Sequence, residues 1–91
     1  MFDKSFSCEL LTPEGAIYKG QATSVVAPGA DGQVGILSGH APLITALGKG
    51  ELRIKTADGA SSRYQVAGGF MEVLKNKVTV LAERAEAKTK S

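Results

Sequence analysis

An all-β domain, a small sandwich or flattened barrel of about eight to ten short strands, follows from three features of this 91-residue sequence. Its eleven glycines are dispersed and cut the chain into short segments. Several of those segments alternate apolar and polar residues with the period of two that marks a half-buried strand. Turn-forming groups such as Pro13-Glu14-Gly15 and Asp58-Gly59 separate them.

The elements can be read in order. In Ser5 to Leu10, residues Phe6, Cys8 and Leu10 share one face and Ser5, Ser7 and Glu9 the other. After Pro13-Glu14-Gly15 a short strand is expected at Ala16 to Lys19. Past Gly20, a second runs from Ala22 to Ala27 and stops at Pro28-Gly29. Runs near Gln33 to Leu37 and Pro42 to Leu47 follow. The clearest alternation is Glu51 to Lys55, with Leu52 and Ile54 inward, matched by Ser62, Tyr64 and Val66. Asp58-Gly59 tolerates the positive φ of a tight turn between them, so these two runs are expected to form an antiparallel hairpin. Phe70 to Lys75 and Lys77 to Ala82, rich in Val and Leu and parted at Asn76, read as a second hairpin. The remainder, Ala82 to Ser91, carries Ala-Glu-Arg-Ala-Glu-Ala-Lys, which favours helix but is too short to be a stable one alone. The expected organisation is a β domain over residues 1–82 and a helical or frayed tail over 83–91 that begins an absent helical domain.

Bulk composition narrows the function. The chain is long enough for one compact core and too short for two. With 43% hydrophobic and 22% charged residues it resembles an ordinary globular domain. Eleven basic against nine acidic side chains give a formal charge of +2, with the signs interspersed, so nucleic acid is not expected as a partner. The start of the chain shows neither a secretory nor a transit peptide, and no run approaches the roughly 20 apolar residues of a membrane span. The expectation is a soluble intracellular protein that meets a membrane only through a partner.

Catalytic and ligand chemistry finds little support. One histidine, His40, and one cysteine, Cys8, cannot assemble a zinc site, and no metal or cofactor is expected. Cys8 falls on an apolar face, where a small buried thiol is the simplest reading. Ser38 and His40 are near in sequence, but Gly-Ile-Leu-Ser-Gly is not a nucleophile elbow. Gly29, Gly32 and Gly35 precede no helix that could receive an anion, and Gly48-Lys49 lacks the rest of a phosphate loop. A free-standing β-sandwich that binds a ligand or sugar remains the alternative, though it would need exposed aromatic rings in a groove.

The run from Asp31 to Ile54, Asp-Gly-Gln-Val-Gly-Ile-Leu-Ser-Gly-His-Ala-Pro-Leu-Ile-Thr-Ala-Leu-Gly-Lys-Gly-Glu-Leu-Arg-Ile, closely resembles the signature of the epsilon subunit of F-type ATP synthases. Phe6 to Gly15 is similar to that family's first strand and turn, and Gly68 to Val73 with Val78 to Ala82 to its last hairpin. Ser38 departs from the proline usual before Gly-His, and Gln33 from the acid often found there. The resemblance implies a non-catalytic rotor subunit, without substrate of its own, that clamps the gamma subunit to the c-ring on the cytoplasmic face of a bacterial inner membrane. By the same resemblance His40, Leu43 and Thr45 lie toward gamma, and Ala30, Asp31, Gly32 and Gln33 toward the c-ring loops. From the residues alone, His40 is either satisfied by its own backbone or held out for a partner between Gly39 and Pro42. Longer family members continue into two C-terminal helices that restrain ATP hydrolysis; the tail here is expected to be too short for that role.

Overall fold

The computed structural model describes residues 4–88, and the last part of the expected tail, Thr89 to Ser91, lies outside them. The described residues form eight strands: β1 Phe6–Thr12, β2 Gly15–Ala22, β3 Ser24–Gly29, β4 Gly32–Leu37, β5 Leu43–Ala46, β6 Lys49–Lys55, β7 Ser61–Leu74 and β8 Lys77–Ala87. They pair in the order β2-β1-β8-β7-β6-β3-β4, with β5 added against β7. All pairings are antiparallel except that of β1 with β8, which is parallel.

The hairpin expected from alternation has the expected register. Leu52 lies opposite Tyr64 and Ile54 opposite Ser62, while Leu52, Ile54, Tyr64 and Val66 are buried. The Asp58-Gly59 turn is closed by Asp58, whose carboxylate accepts the Thr56 hydroxyl and the Ala60 amide. Gly59 takes a φ of +90°. At the second hairpin Lys75 and Asn76 both have positive φ, 51° and 61°, the geometry of a two-residue turn that matches strand twist.

The expected break at Gly20 does not occur. Gly20 sits inside β2 opposite Cys8, and the chain leaves the strand only at Thr23. Tyr18 explains the glycine: its hydroxyl donates to the Gln21 carbonyl and its ring covers Gly20, so a Cβ there would lie 3.4 Å from the phenol oxygen.

The expected helical tail is also corrected. Residues Glu83 to Ala87 continue β8, and Arg84 to Ala87 pair with Tyr64 to Ala67 of β7. Pairing with a strand already anchored in the core outweighs a helix propensity worth only tenths of a kcal/mol per residue. β7 and β8 thus form a long ribbon instead of the short strands expected on either side of Gly68-Gly69. Along β7 the inward residues change from Tyr64 and Val66 to Met71 and Val73, and along β8 from Val78, Val80 and Ala82 to half-buried Ala85. The phase changes at Gly68 and Gly69, whose φ values are +71° and +111°. This lets one ribbon serve both leaves of a sheet folded around a single core.

That core takes Phe6, Cys8 and Leu10 from β1, Val25 and Ala27 from β3, Ile36 from β4, and the inward residues of β6, β7 and β8. The radius of gyration is 12.1 Å, against about 12 Å for a compact chain of this length. No buried side-chain polar atom among the described residues lacks a partner.

Candidate functional site

The segment singled out in the sequence becomes a corner, a short strand and a distant turn, joined through β5. At the corner Gly39 has a φ of +82°, and the His40 amide donates to the Leu37 carbonyl at 3.2 Å. Asn76 fixes this corner from the other hairpin. Its side-chain oxygen accepts the Gly39 amide at 3.0 Å and the Ser38 hydroxyl at 3.4 Å, and its side-chain nitrogen donates to the Ser5 carbonyl at 3.0 Å. Ser38, the departure from the family pattern, therefore contributes a tether that proline could not make. The His40 ring is half-exposed, and Nδ1 lies 2.7 Å from the Ala41 carbonyl oxygen. A carbonyl only accepts, so Nδ1 carries the proton and Nε2 is left as an acceptor in the neutral ring.

β5 then divides its side chains between two faces. Leu43 and Thr45 lie opposite buried Val73 and Met71, both are half-buried, and Leu43 packs on the core. Ile44 and Ala46 lie opposite Glu72 and Phe70 on the outer face. At the far end of β5 the Ala30 amide donates to the Ala46 carbonyl at 3.0 Å, which docks the Ala30 to Gln33 turn onto the strand. Ala30, Asp31, Gly32 and Gln33 are all exposed. A Cβ on Gly29 would meet the Gly32 carbonyl oxygen at 2.6 Å, so only glycine permits this tight end. His40 and the turn thus stand at opposite ends of one short strand.

The outer face beside β5 carries large apolar side chains that the sequence reading did not single out. Ile44 is 69% exposed, Phe70 57% and Leu81 51%. Phe70 is opposite Ala46 on one side and Leu81 on the other, and Leu81 is opposite Leu11 of β1. An apolar row therefore crosses four strands, bordered by Glu72 and Glu9 one step along. The signal was present: if Leu43 and Thr45 alternate inward, Ile44 must point out.

Elsewhere a groove of about 520 Å³ separates the β1–β2 turn from the β7–β8 ribbon. Thr12, Glu14, Lys49, Gln65 and Arg84 are among its walls, and none of its described lining residues is aromatic. No metal-ligand cluster occurs among the described residues, and no helix among them is long and apolar enough to cross a membrane. Burial, with a smaller effect from Glu9, pushes the Cys8 thiol up to about 12. Hydrogen bonds from Lys88 and Arg53 hold the Glu51 carboxyl below its usual range, and one from Thr56 does the same for Asp58.

The same fold occurs in rotary ATP synthases. A chain of the Euglena gracilis mitochondrial ATP synthase, from a cryo-EM structure containing OSCP, F1 and c-ring, superposes with a TM-score of 0.87 at 20% identity, over 96% of this chain and 56% of that one. A chain in the central stalk and c-ring structure of the Tetrahymena thermophila mitochondrial ATP synthase gives a TM-score of 0.74 at 17% identity, over 88% of this chain and 64% of that one. Sequence carries the likeness further. Residues 5–88 match the family model described as ATP synthase, Delta/Epsilon chain, beta-sandwich domain. The ATP synthase epsilon chain of Syntrophomonas wolfei is 45% identical over 86 residues, covering 94% of this chain and 63% of the relative. That of Chlorobium limicola is 43% identical over 81 residues, covering 89% of this chain and 92% of the relative. The chain thus spans less than two thirds of the first relative and nearly all of the second. It belongs to the ATP synthase delta/epsilon family, matching its β-sandwich domain.

Proposed function

We propose that this chain is a central-stalk subunit of an F-type ATP synthase, joining gamma to the c-ring and coupling ion translocation to ATP synthesis. It sits peripherally on the cytoplasmic face of a bacterial inner membrane, and nucleotide chemistry belongs to other subunits. The observation that carries this reading is the exposed apolar row through Phe70 and Leu81, beside Ile44 and the corner bearing His40. Apolar area of this kind, bordered by carboxylates, has the anatomy of a protein interface. In this reading gamma covers His40 and the outer face of β5. Leu43 and Thr45 support that contact from the inner side, and the Ala30 to Gln33 turn meets the c-ring loops. A sugar-binding role is less well supported, since the groove offers no stacking ring among its described walls.

Calorimetry with purified gamma tests the reading. Ile44→Ser with Phe70→Ser should weaken binding by about 2 kcal/mol or more, roughly thirtyfold, and His40→Ala should also weaken it. All three positions are at least partly exposed, so the melting temperature should change little. Unchanged affinity in every variant would exclude this face as the gamma contact.

A further inference from the structure

The other leaf of the sheet has a different outer surface. Arg53 of β6 and Arg63 of β7 stand directly opposite each other, a like-charge pairing that destabilises a sheet when nothing offsets it. Lys88 extends the row, its amide donating to the Arg63 carbonyl at 2.9 Å. All three cations converge on Glu51, at 3.1 Å for Arg53, 3.6 Å for Arg63 and 3.0 Å for Lys88. One carboxylate thus serves three cations whose side chains remain 48%, 54% and 43% exposed. Lys55 lies further along the same face of β6, and the further acid there, Glu86, is one row away opposite Gln65. The face therefore holds an unneutralised positive charge concentrated in one straight row.

We propose that this row binds an acidic α-helix of a neighbouring protein, laid across the strands. Spacing favours that partner. Successive cations on adjacent strands are separated by about 4.8 Å between backbones, and carboxylates at i, i+4 and i+7 of a helix recur every ~5–6 Å on one face. An extended peptide repeats its same-side groups at roughly 6.6 Å and falls out of step within the row. Charge in exposed positions acts through on-rate and register more than through raw affinity, so the contact is weak and sensitive to salt.

The test uses the whole chain and a blocked helical peptide with three glutamates at those spacings, titrated by calorimetry at about 0.01 M ionic strength. Binding is expected, and raising salt to about 0.15 M should weaken it. Arg53→Gln with Arg63→Gln should weaken binding by about tenfold or more. Lys19→Gln with Lys77→Gln, which removes the same charge elsewhere, should leave it unchanged. Glu51→Gln should tighten binding, because it frees the three cations, whereas a merely structural Glu51 gives no such gain. The proposal is overturned by no binding, by equal loss in the two double variants, or by weaker binding in Glu51→Gln. It is also overturned if phosphatidylglycerol vesicles bind the row and the peptide does not, which would assign the face to a lipid surface.

Discussion

Gly69 shows how much one missing methyl group can decide. A Cβ there would lie 1.9 Å from the Leu81 carbonyl oxygen and 2.9 Å from the Ala82 Cα, both backbone atoms of the paired strand. At Gly68 the obstacle is the end of the Glu83 side chain, which can move aside. Gly68→Ala should therefore cost only about 1–2 kcal/mol for its positive φ, and Gly69→Ala more than about 3 kcal/mol. Denaturant melts check the ranking, and equal costs would show that φ alone matters. Cys8 is wholly buried and its thiol is pushed up to about 12. It should resist maleimide at pH 8 in the native protein and react once urea unfolds it. The carboxyls of Glu51 and Asp58 are held below their ordinary values, so their contribution is complete above the unfolded carboxylate range of about 4. It disappears as pH falls through their depressed folded values. An Asp58→Asn variant should lose stability relative to wild type at pH 7, and the difference should shrink on acidification.

At the scale of strands, β8 carries the sharpest consequence. Ending the chain at Glu83 removes the partners of Tyr64 to Ala67 and uncovers Val66. Such a truncation should lower the melting temperature clearly, and an unchanged melt would mean that the end of β8 adds nothing. Local pattern made some of this legible and not the rest. Leu52, Ile54, Tyr64 and Val66 could be placed inward from alternation because two-faced strands write their environment into a period of two. Glu83 to Ala87 could not, since their small and charged residues record helix propensity while their conformation is imposed by β7, distant in sequence. The glycine at 20 misled for a related reason: it marks the space taken by Tyr18, not a break. At the site, the corner at His40 and the turn at Ala30 were visible as motifs. The apolar row of Ala46, Phe70, Leu81 and Leu11, with Ile44 beside it, was not, because it exists only once four strands are in register.

For the molecule as a whole, the parallel pairing of β1 with β8 joins the first described strand to the last. Ser7 to Leu11 lie in register with Lys77 to Leu81, inside the sheet between β2 and β7. The core cannot close until β8 is available, and most contacts join residues distant in sequence, so folding should be slower than that of a helical domain of this size. The same pairing has a mechanical meaning. If the chain is pulled by its two ends, β1 and β8 are drawn in opposite directions along their length. Their hydrogen bonds then bear the load together in shear instead of opening one after another like a zipper. Stretched in a force spectrometer, the domain should yield in a single high-force event, and linkers attached within the Asp58 and Asn76 turns should release it at lower force. A domain whose first and last described strands are locked side by side in this way is built to be tugged without coming apart.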